Sequence, residues 1–304
     1  MTPVWNSPVL LLVVTGSLLG LTLPFGKLAG QAGAPPALWA LVISLGAGGV
    51  LLCWMLLRGQ RVGLGPQRLR YFLIAAAVSY AIPNLLMFAA IPHLGAGYTG
   101  IMFTLSPVIT LLLSVVFGVR KPTLLGVVGI IVGFIGALIV AWTRGEAGRP
   151  AELFWVLIGL CIPVSLAVGN IYRTVDWPQD AGGTELAVGS HLAAAVILTA
   201  VLLLRGEFAS VPALAAVPWL VVGQVLASSL MFAFFFRLQA VGGPVYLSQI
   251  GYVGAAVGMV SGLLFLGESY GAVTWFGAAV ITLGIVMTTL AQSGASAAPD
   301  KAAS

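Results

Sequence analysis

Apolar runs of about the length that crosses a bilayer as a helix, ~20 residues, follow one another along almost the whole chain with only short polar gaps. Ten are read: Pro8 to Leu28, Pro36 to Leu57, Leu69 to Ile91, Gly95 to Gly118, Pro122 to Thr143, Leu153 to Tyr172, Leu186 to Leu204, Pro218 to Leu238, Pro244 to Leu266 and Ala272 to Ala291. The expected fold class is an all-α membrane protein of ten transmembrane helices. Residues 292–304 are small and polar and are expected to form a disordered tail. Inside the runs, neutral polar side chains recur at helical spacing. Tyr80 and Asn84 are four apart, as are Gln224 and Ser228; Tyr98 and Met102 share a face, and Tyr246, Gln249 and Tyr252 advance by three. In lipid such stripes turn inward, where each residue either bonds a neighbouring helix or lines a cavity.

The chain also repeats itself. Sliding the stretch Gly242 to Ser269 back by 148 residues pairs Gly243 with Gly95, Tyr246 with Tyr98 and Phe265 with Phe117, and further on Gly277 with Gly129 and Gly284 with Gly136. The same shift superimposes the apolar runs and the gaps between them. This reads as an internal duplication of five helices each, residues 1–147 and 148–291. Five is odd, so the second copy enters the membrane from the opposite side and the halves are inverted repeats. Inverted repeats mark alternating-access carriers, which hold substrate at the repeat interface near the bilayer midplane.

Composition agrees with the pattern. At 60% hydrophobic, 7% charged and a mean hydropathy of +1.10, the chain is not a soluble domain with one core. Its net charge of +5 does not point to a nucleic-acid partner, because the basic residues are scattered at segment ends. With the amino terminus inside, Arg58, Arg61, Arg68, Arg70, Arg120, Lys121, Arg173, Arg237 and Lys301 are cytoplasmic, nine against the four of Lys27, Arg144, Arg149 and Arg205. That asymmetry is expected to place both termini of a multi-pass membrane protein in the cytoplasm. Met1 to Pro8 carries no Lys or Arg and further segments follow, so a cleaved signal peptide is not expected. Trp5, Trp39, Trp54, Trp142, Trp155, Trp177, Trp219 and Trp275 all lie near segment ends, where indoles anchor at the interface.

Two proline-bearing segments, one in each half, are candidate binding elements. The first holds Pro24 and Gly26, read as a helix interruption, followed by Lys27; the sixth holds Pro163, with Asn170 seven residues on and on the same face. Lys27 either snorkels to the outer interface or meets a substrate carboxylate. No Asp or Glu falls in the middle of any segment: Glu268 is at an outer helix end, a boundary residue, an ion-pair partner or a gate, and Glu152, Glu185 and Glu207 are at boundaries. A buried carboxylate relay for proton coupling is therefore absent. His93 and His191 read as surface or hydrogen-bonded histidines in preference to proton switches. Cys53 and Cys161 read as packing residues and make no metal site. Gly129, Gly133 and Gly136 form a close-approach face, within one protomer or at a dimer seam. No phosphate loop, nucleotide fingerprint or metal-spaced cluster occurs, which removes ATP-driven transport. An enzyme lacks a nucleophile with its base, and a channel lacks a charged ring or carbonyl filter.

The ten-segment, two-half plan, closing its ninth segment in Leu266-Gly267-Glu268, resembles the drug/metabolite transporter superfamily, in its group of amino acid and metabolite exporters, and looks most like the bacterial aromatic amino acid exporters. The first half departs from the pattern, reading Phe117-Gly118-Val119-Arg120-Lys121 where a repeat of that family closes in a similar Gly-Glu. The resemblance implies a non-enzymatic secondary carrier of a bacterial inner (plasma) membrane, without cofactor, exporting small amphiphilic metabolites such as aromatic and other neutral amino acids, and the missing buried carboxylates favour a facilitative or exchange mechanism for it. Its partners are then a small-molecule substrate and the lipid bilayer, as a monomer or a homodimer. Expected substrate contacts are Pro24, Lys27, Tyr80, Asn84, Tyr98, Met102, Pro163, Asn170, Gln224, Ser228, Tyr246, Gln249 and Tyr252, with Glu268 as a gate. Segments one, three, four, six, eight and nine line the cavity, and five and ten pack outside. A carrier of nucleotide sugars or lipid-linked substrates, and a proton-coupled drug exporter, are the alternatives; the first is disfavoured because no clustered Lys or Arg marks the midplane for phosphate.

Overall fold

The computed structural model describes residues 7–119, 123–143, 145–146 and 149–296. The first half holds α1 (Pro8–Gln31), α2 (Pro36–Leu57), α3 (Pro66–Leu94), α4 (Ala96–Val116) and α5 (Leu124–Thr143). The second holds α6 (Leu153–Val175), α7 (Gly183–Leu204), α8 (Pro218–Ser248), α9 (Ile250–Phe265) and α10 (Ala272–Ser296). A two-residue antiparallel pair, β1 (Gly145–Glu146) with β2 (Arg149–Pro150), joins the halves, and a 3-10 stretch, Glu207–Ala216, links α7 to α8. Among the described residues seven helices, α1 to α4 and α6 to α8, are long and apolar enough to cross a membrane; α5, α9 and α10 carry the shorter apolar stretches Leu124–Val140, Ile250–Phe265 and Ala272–Thr288. Trp5, Arg120, Lys121, Pro122, Arg144, Lys301 and the tail beyond Ser296 lie outside the described residues.

Proline punctuates these helices in two ways. At the first turn it is pre-organised and loses nothing, which is where Pro8, Pro36, Pro66 and Pro218 stand. Inside a helix it removes one hydrogen bond and presses on the carbonyl four residues back. The interruption expected at Pro24 does not occur: α1 runs through it to Gln31, and α6 likewise runs through Pro163. Each of these prolines has a glycine four residues back, Gly20 and Gly159, whose freer backbone lets the carbonyl tilt.

The real irregularities lie elsewhere. In α3, residues Ala76–Ala81 form a π turn, with the Ile82 amide donating to the Ala77 carbonyl. In that register the Val78 carbonyl would take its hydrogen from residue 83, which is a proline. Ser165 on α6 donates to it instead, at 2.8 Å. In α4, Phe103–Leu105 tighten to 3-10 geometry because Pro107 cannot supply the α-type bond to Phe103, whose carbonyl accepts from Ser106. In α8, Gly243 has φ 71 and ψ 179, a break just before Pro244. Gly95, between α3 and α4, has φ 84 and ψ 158. Only glycine adopts that conformation without strain, and these two glycines are equivalent under the 148-residue shift.

The helices pack as cross-half pairs: α5 on α10, α2 on α7 and α4 on α9, while α1 lies along α8 and α9, and α6 along α3 and α4. Lipid supplies no hydrophobic drive for these contacts, so close backbone approach carries them. The expected glycine face of α5 is part of this packing. A Cβ built on Gly129 would sit 2.8 Å from the Gly284 carbonyl oxygen, and one on Gly136 would sit 2.9 Å from that of Gly277. Two corrections concern minor residues. Cys53 and Cys161 face outward and are not packing residues, and Trp39 is buried within the core, not at an interface.

Candidate functional site

Where the irregular turns of α3 and α4 face α6, α8 and α9, the packing leaves a cavity with about 70 Å³ open to the centres of water molecules. Its walls are Leu19 and Thr22 of α1, Ile43 of α2, Ser79, Tyr80, Pro83, Asn84 and Met87 of α3, and Phe103 and Ser106 of α4; from the second half come α6, α8 and α9. Neither α5 nor α10 contributes, and Ile43 adds α2 to the set expected from sequence. Along α6 the lining residues Ile162, Leu166, Asn170 and Arg173 fall on one face. The cavity is mostly apolar, with a few convergent polar groups, the usual make-up of a small-molecule site.

Among the described residues, Arg173 is the one charged side chain of that lining. Sequence reasoning left it at the cytoplasmic boundary, yet it is 2% exposed and among the largest fully buried side chains. Its Nη2 donates to Asn170 Oδ1 at 2.6 Å and its Nε to Gln239 Oε1 at 2.9 Å, while its guanidinium lies 4.9 Å from the Phe235 ring centroid and 5.9 Å from that of Tyr80. All these partners are neutral. The nearest acid in sequence, Asp176, is engaged by Arg70 at 2.5 Å and by the Tyr172 hydroxyl at 2.6 Å. His191 of α7 packs against Tyr80 at a tilt, 4.2 Å between ring centroids, and meets Phe232 edge-on at 4.0 Å, fully buried, with neither ring nitrogen hydrogen-bonded. It is thus neither of the two ordinary histidines expected.

A second feature closes one end of the bundle. Lys27 Nζ donates to Glu268 Oε1 at 2.6 Å, across α1 and the α9–α10 turn. The Ala96 and Gly97 amides at the start of α4 donate to the same carboxylate at 2.6 and 2.9 Å, as does the Tyr270 hydroxyl. The Glu268 side chain is 0% exposed and that of Lys27 17%. Glycine at 97 and at 262 is what admits the cluster, because a Cβ at either position would run into Tyr270 or Glu268. Burial pushes the Glu268 carboxyl up, but the hydrogen bonds from Lys27, Tyr270, Gly97 and Ala96 outweigh it and hold the carboxyl below its ordinary value. A depressed folded pKa adds stability that is fully present above the ordinary carboxylate range and is lost as pH falls through the folded value. Unfolding in detergent between pH 7 and pH 3 is therefore expected to show a steeper acid loss for the native chain than for Glu268→Gln. Parallel curves would contradict this.

The opposite end is joined by more exposed pairs: Arg70 with Asp176, and Arg68 with Glu185 at 3.2 Å, the latter carboxylate also accepting from the Gly63 amide at 2.8 Å. Arg70 is 59% exposed, and exposed pairs contribute ~0–1 kcal/mol. The end carrying Lys27 is the more firmly held.

The remaining candidates separate into distinct groups. Tyr80, Asn84 and Asn170 come together at the cavity. Gln224 is buried one contact away, its amide donating to the cavity residue Thr22 at 3.4 Å, with its Oε1 unpaired. Ser228 donates within its own helix to Val225, Gln249 is buried near the α8–α9 junction, and Pro24 and Pro163 are buried inside continuous helices. Tyr246 is half-buried against the main core. Tyr98, Met102 and Tyr252 belong to a separate packed cluster toward α5 and α10, where the Tyr98 hydroxyl donates to the Val140 carbonyl at 2.9 Å. Sequence reasoning missed Arg173, Ser79, Met231, Phe232 and Phe235. The signal for Arg173 was its position one turn beyond Asn170 on the same face.

Residues 6–142 match the EamA-like transporter family. Over 270 residues the chain is 29% identical to the uncharacterized inner membrane transporter YedA of Escherichia coli strain K12, covering 85% of this chain and 83% of that protein, and it matches YedA of strain O157:H7 equally. A solved crystal structure superimposes with a TM-score of 0.64 at 18% identity, over 93% of this chain and 98% of that one, a likeness of fold alone. The resemblance to the drug/metabolite transporter superfamily is borne out.

Proposed function

We propose that this EamA-like membrane transporter is a secondary carrier that moves small amphiphilic metabolites, aromatic and other neutral amino acids among them, by alternating access between two inverted five-helix halves. The observation that carries the reading is the cavity at the meeting of the halves, apolar in its walls and served by Tyr80, Asn84, Asn170 and Arg173. Pair symmetry supports the inverted repeat. Shifting Gly129 and Gly136 by 148 gives Gly277 and Gly284, and the contacts are crossed, Gly129 to Gly284 and Gly136 to Gly277, as a two-fold exchange requires. Phe103 and Gly251 are equivalent under the same shift and touch each other: a Cβ on Gly251 would lie 2.7 Å from the Phe103 carbonyl oxygen. Such a pair lies on the axis, and both residues line the cavity.

In this reading the Lys27–Glu268 cluster is the outer gate, and substrate exchanges with the cytoplasm when the weaker pairs around Arg68 and Arg70 part. Asn84 and Tyr80 orient the polar head while the phenylalanines and methionines hold the side chain. No acid lines the cavity among the described residues, which supports a facilitative or exchange mechanism. Uptake of labelled phenylalanine and methionine into proteoliposomes, with and without an imposed pH gradient, tests it. Saturable uptake that is indifferent to the gradient is expected, reduced about tenfold or more in Asn84→Leu, in line with the loss of a polar contact in a desolvated site. Uptake that vanishes without the gradient would overturn the facilitative mechanism.

A further inference from the structure

The carrier reading leaves one feature unexplained: a guanidinium that is 98% buried in the wall of a binding cavity with only neutral partners. Burying a charge is costly unless an opposite charge repays it. The Asn170 and Gln239 side-chain oxygens, the ring faces of Phe235 and Tyr80, and the carbonyl end of α6, in whose last turn Arg173 sits, all help. None of them carries a formal negative charge, and no carboxylate oxygen lies within 4.0 Å of Arg173 among the described residues. The cavity therefore holds one net positive charge. Two neighbouring donors are also unsatisfied. The Ser79 and Tyr80 hydroxyls are buried in the same wall without any hydrogen-bond partner.

We infer that the cavity is a receptor for a small monocarboxylate, its head on Arg173 and the Ser79 and Tyr80 hydroxyls, its apolar tail among Phe103, Met231, Phe232 and Phe235. Arginine presents two parallel N–H groups in the geometry of a carboxylate. One cation matches one negative charge; a phosphate monoester, at about −1.5 to −2, would leave the site negative. An ammonium group finds no acid here, so an amino acid is held through its carboxylate only and carries an unmatched cation into the cavity. The order of preference is acid over zwitterion over amine for the same tail.

This inference rests on the carrier reading and is tested so that the two fail differently. Phenylpropanoate, phenylalanine and phenylethylamine share a ring and differ in charge. Each is offered as a competitor and as a labelled substrate to the full chain in proteoliposomes, with direct binding measured in nanodiscs. The acid is expected to bind at least about tenfold more tightly than the zwitterion, with the amine weaker still. Arg173→Gln removes the acid's advantage, with a loss of at least about thirtyfold, while Arg173→Lys, which keeps the charge and loses the fork, retains part of it. The native chain's ranking does not depend on how the variants fold. Equal transport of all three compounds, or preference for the amine, would overturn the inference and leave the carrier standing. No saturable transport or binding of any would overturn both.

Discussion

Lys27→Met lowers the stability of the detergent-solubilised chain by about 2–4 kcal/mol, because it leaves the Glu268 carboxylate buried without its counter-charge. The full cost of breaking a buried pair is ~3–5 kcal/mol, and the 17% exposure of the Lys27 side chain reduces it. Glu268→Gln costs less, since it leaves no buried charge behind: its one amide oxygen still accepts from either the Ala96 or the Gly97 amide, which in the native chain bond different carboxylate oxygens, and Lys27 reaches solvent. The double variant Lys27→Met, Glu268→Gln is expected to recover part of the loss of Lys27→Met alone, a coupling that a double-mutant cycle by chemical denaturation reads directly. Additive losses would mean that the two side chains do not act as a pair. Transport responds in the opposite sense to stability: weakening this contact lowers the barrier to opening at the Lys27 end, so exchange becomes faster or leakier even as the fold weakens.

Gly284→Ala is expected to cost about 2–3 kcal/mol, the scale of overpacking in a close-packed interior. Its new methyl would lie 2.5 Å from the Gly133 nitrogen, 2.6 Å from the Gly129 carbonyl oxygen and 2.7 Å from the Gly133 Cα. These are backbone atoms of a packed helix and cannot rotate away. Gly136→Ala meets the Ile281 nitrogen at 2.6 Å and the Gly277 carbonyl oxygen at 2.9 Å, the two-fold counterpart of the same contact, and is expected to cost a similar amount. Gly30→Ala is the control, with nothing within 4 Å of its new Cβ on an exposed helix face. It is expected to be neutral or slightly stabilising, because alanine is favoured over glycine in a helix by ~1 kcal/mol. Thermal unfolding of the three variants in one detergent checks all three statements; equal melting temperatures would remove the close α5–α10 approach from the account.

The helices were legible because lipid imposes one simple requirement, a long apolar run, and the pairing of Gly95 with Gly243 was legible because a chain break needs glycine in both copies. Asn84 and Asn170 were legible as polar residues where the environment tolerates few. The path of the backbone at Pro24 and Pro163 was not, since a proline's effect depends on what stands four residues back and on which neighbour donates to the freed carbonyl. The true irregularity near Tyr80 is stabilised by Ser165, 87 residues away. Arg173 was hidden for a related reason. A basic residue at the end of an apolar run is ordinarily an interfacial anchor, and only packing of α3, α6 and α8 around it reveals a buried cation. Glu268 was placed correctly at a helix end, but its four donors come from three separate parts of the chain, which no local pattern records.

The central claim is that the Lys27–Glu268 contact must open for substrate to cross. The most direct measurement uses Lys27→Cys with Glu268→Cys in a Cys53→Ala, Cys161→Ala background, bridged by a reducible thiol cross-linker, and follows exchange of labelled substrate in proteoliposomes before bridging, after it, and after reduction. The account predicts exchange that stops on bridging and returns on reduction. Exchange that continues unchanged with the bridge in place would contradict it, because substrate would then be crossing by a route that this end of the bundle does not control.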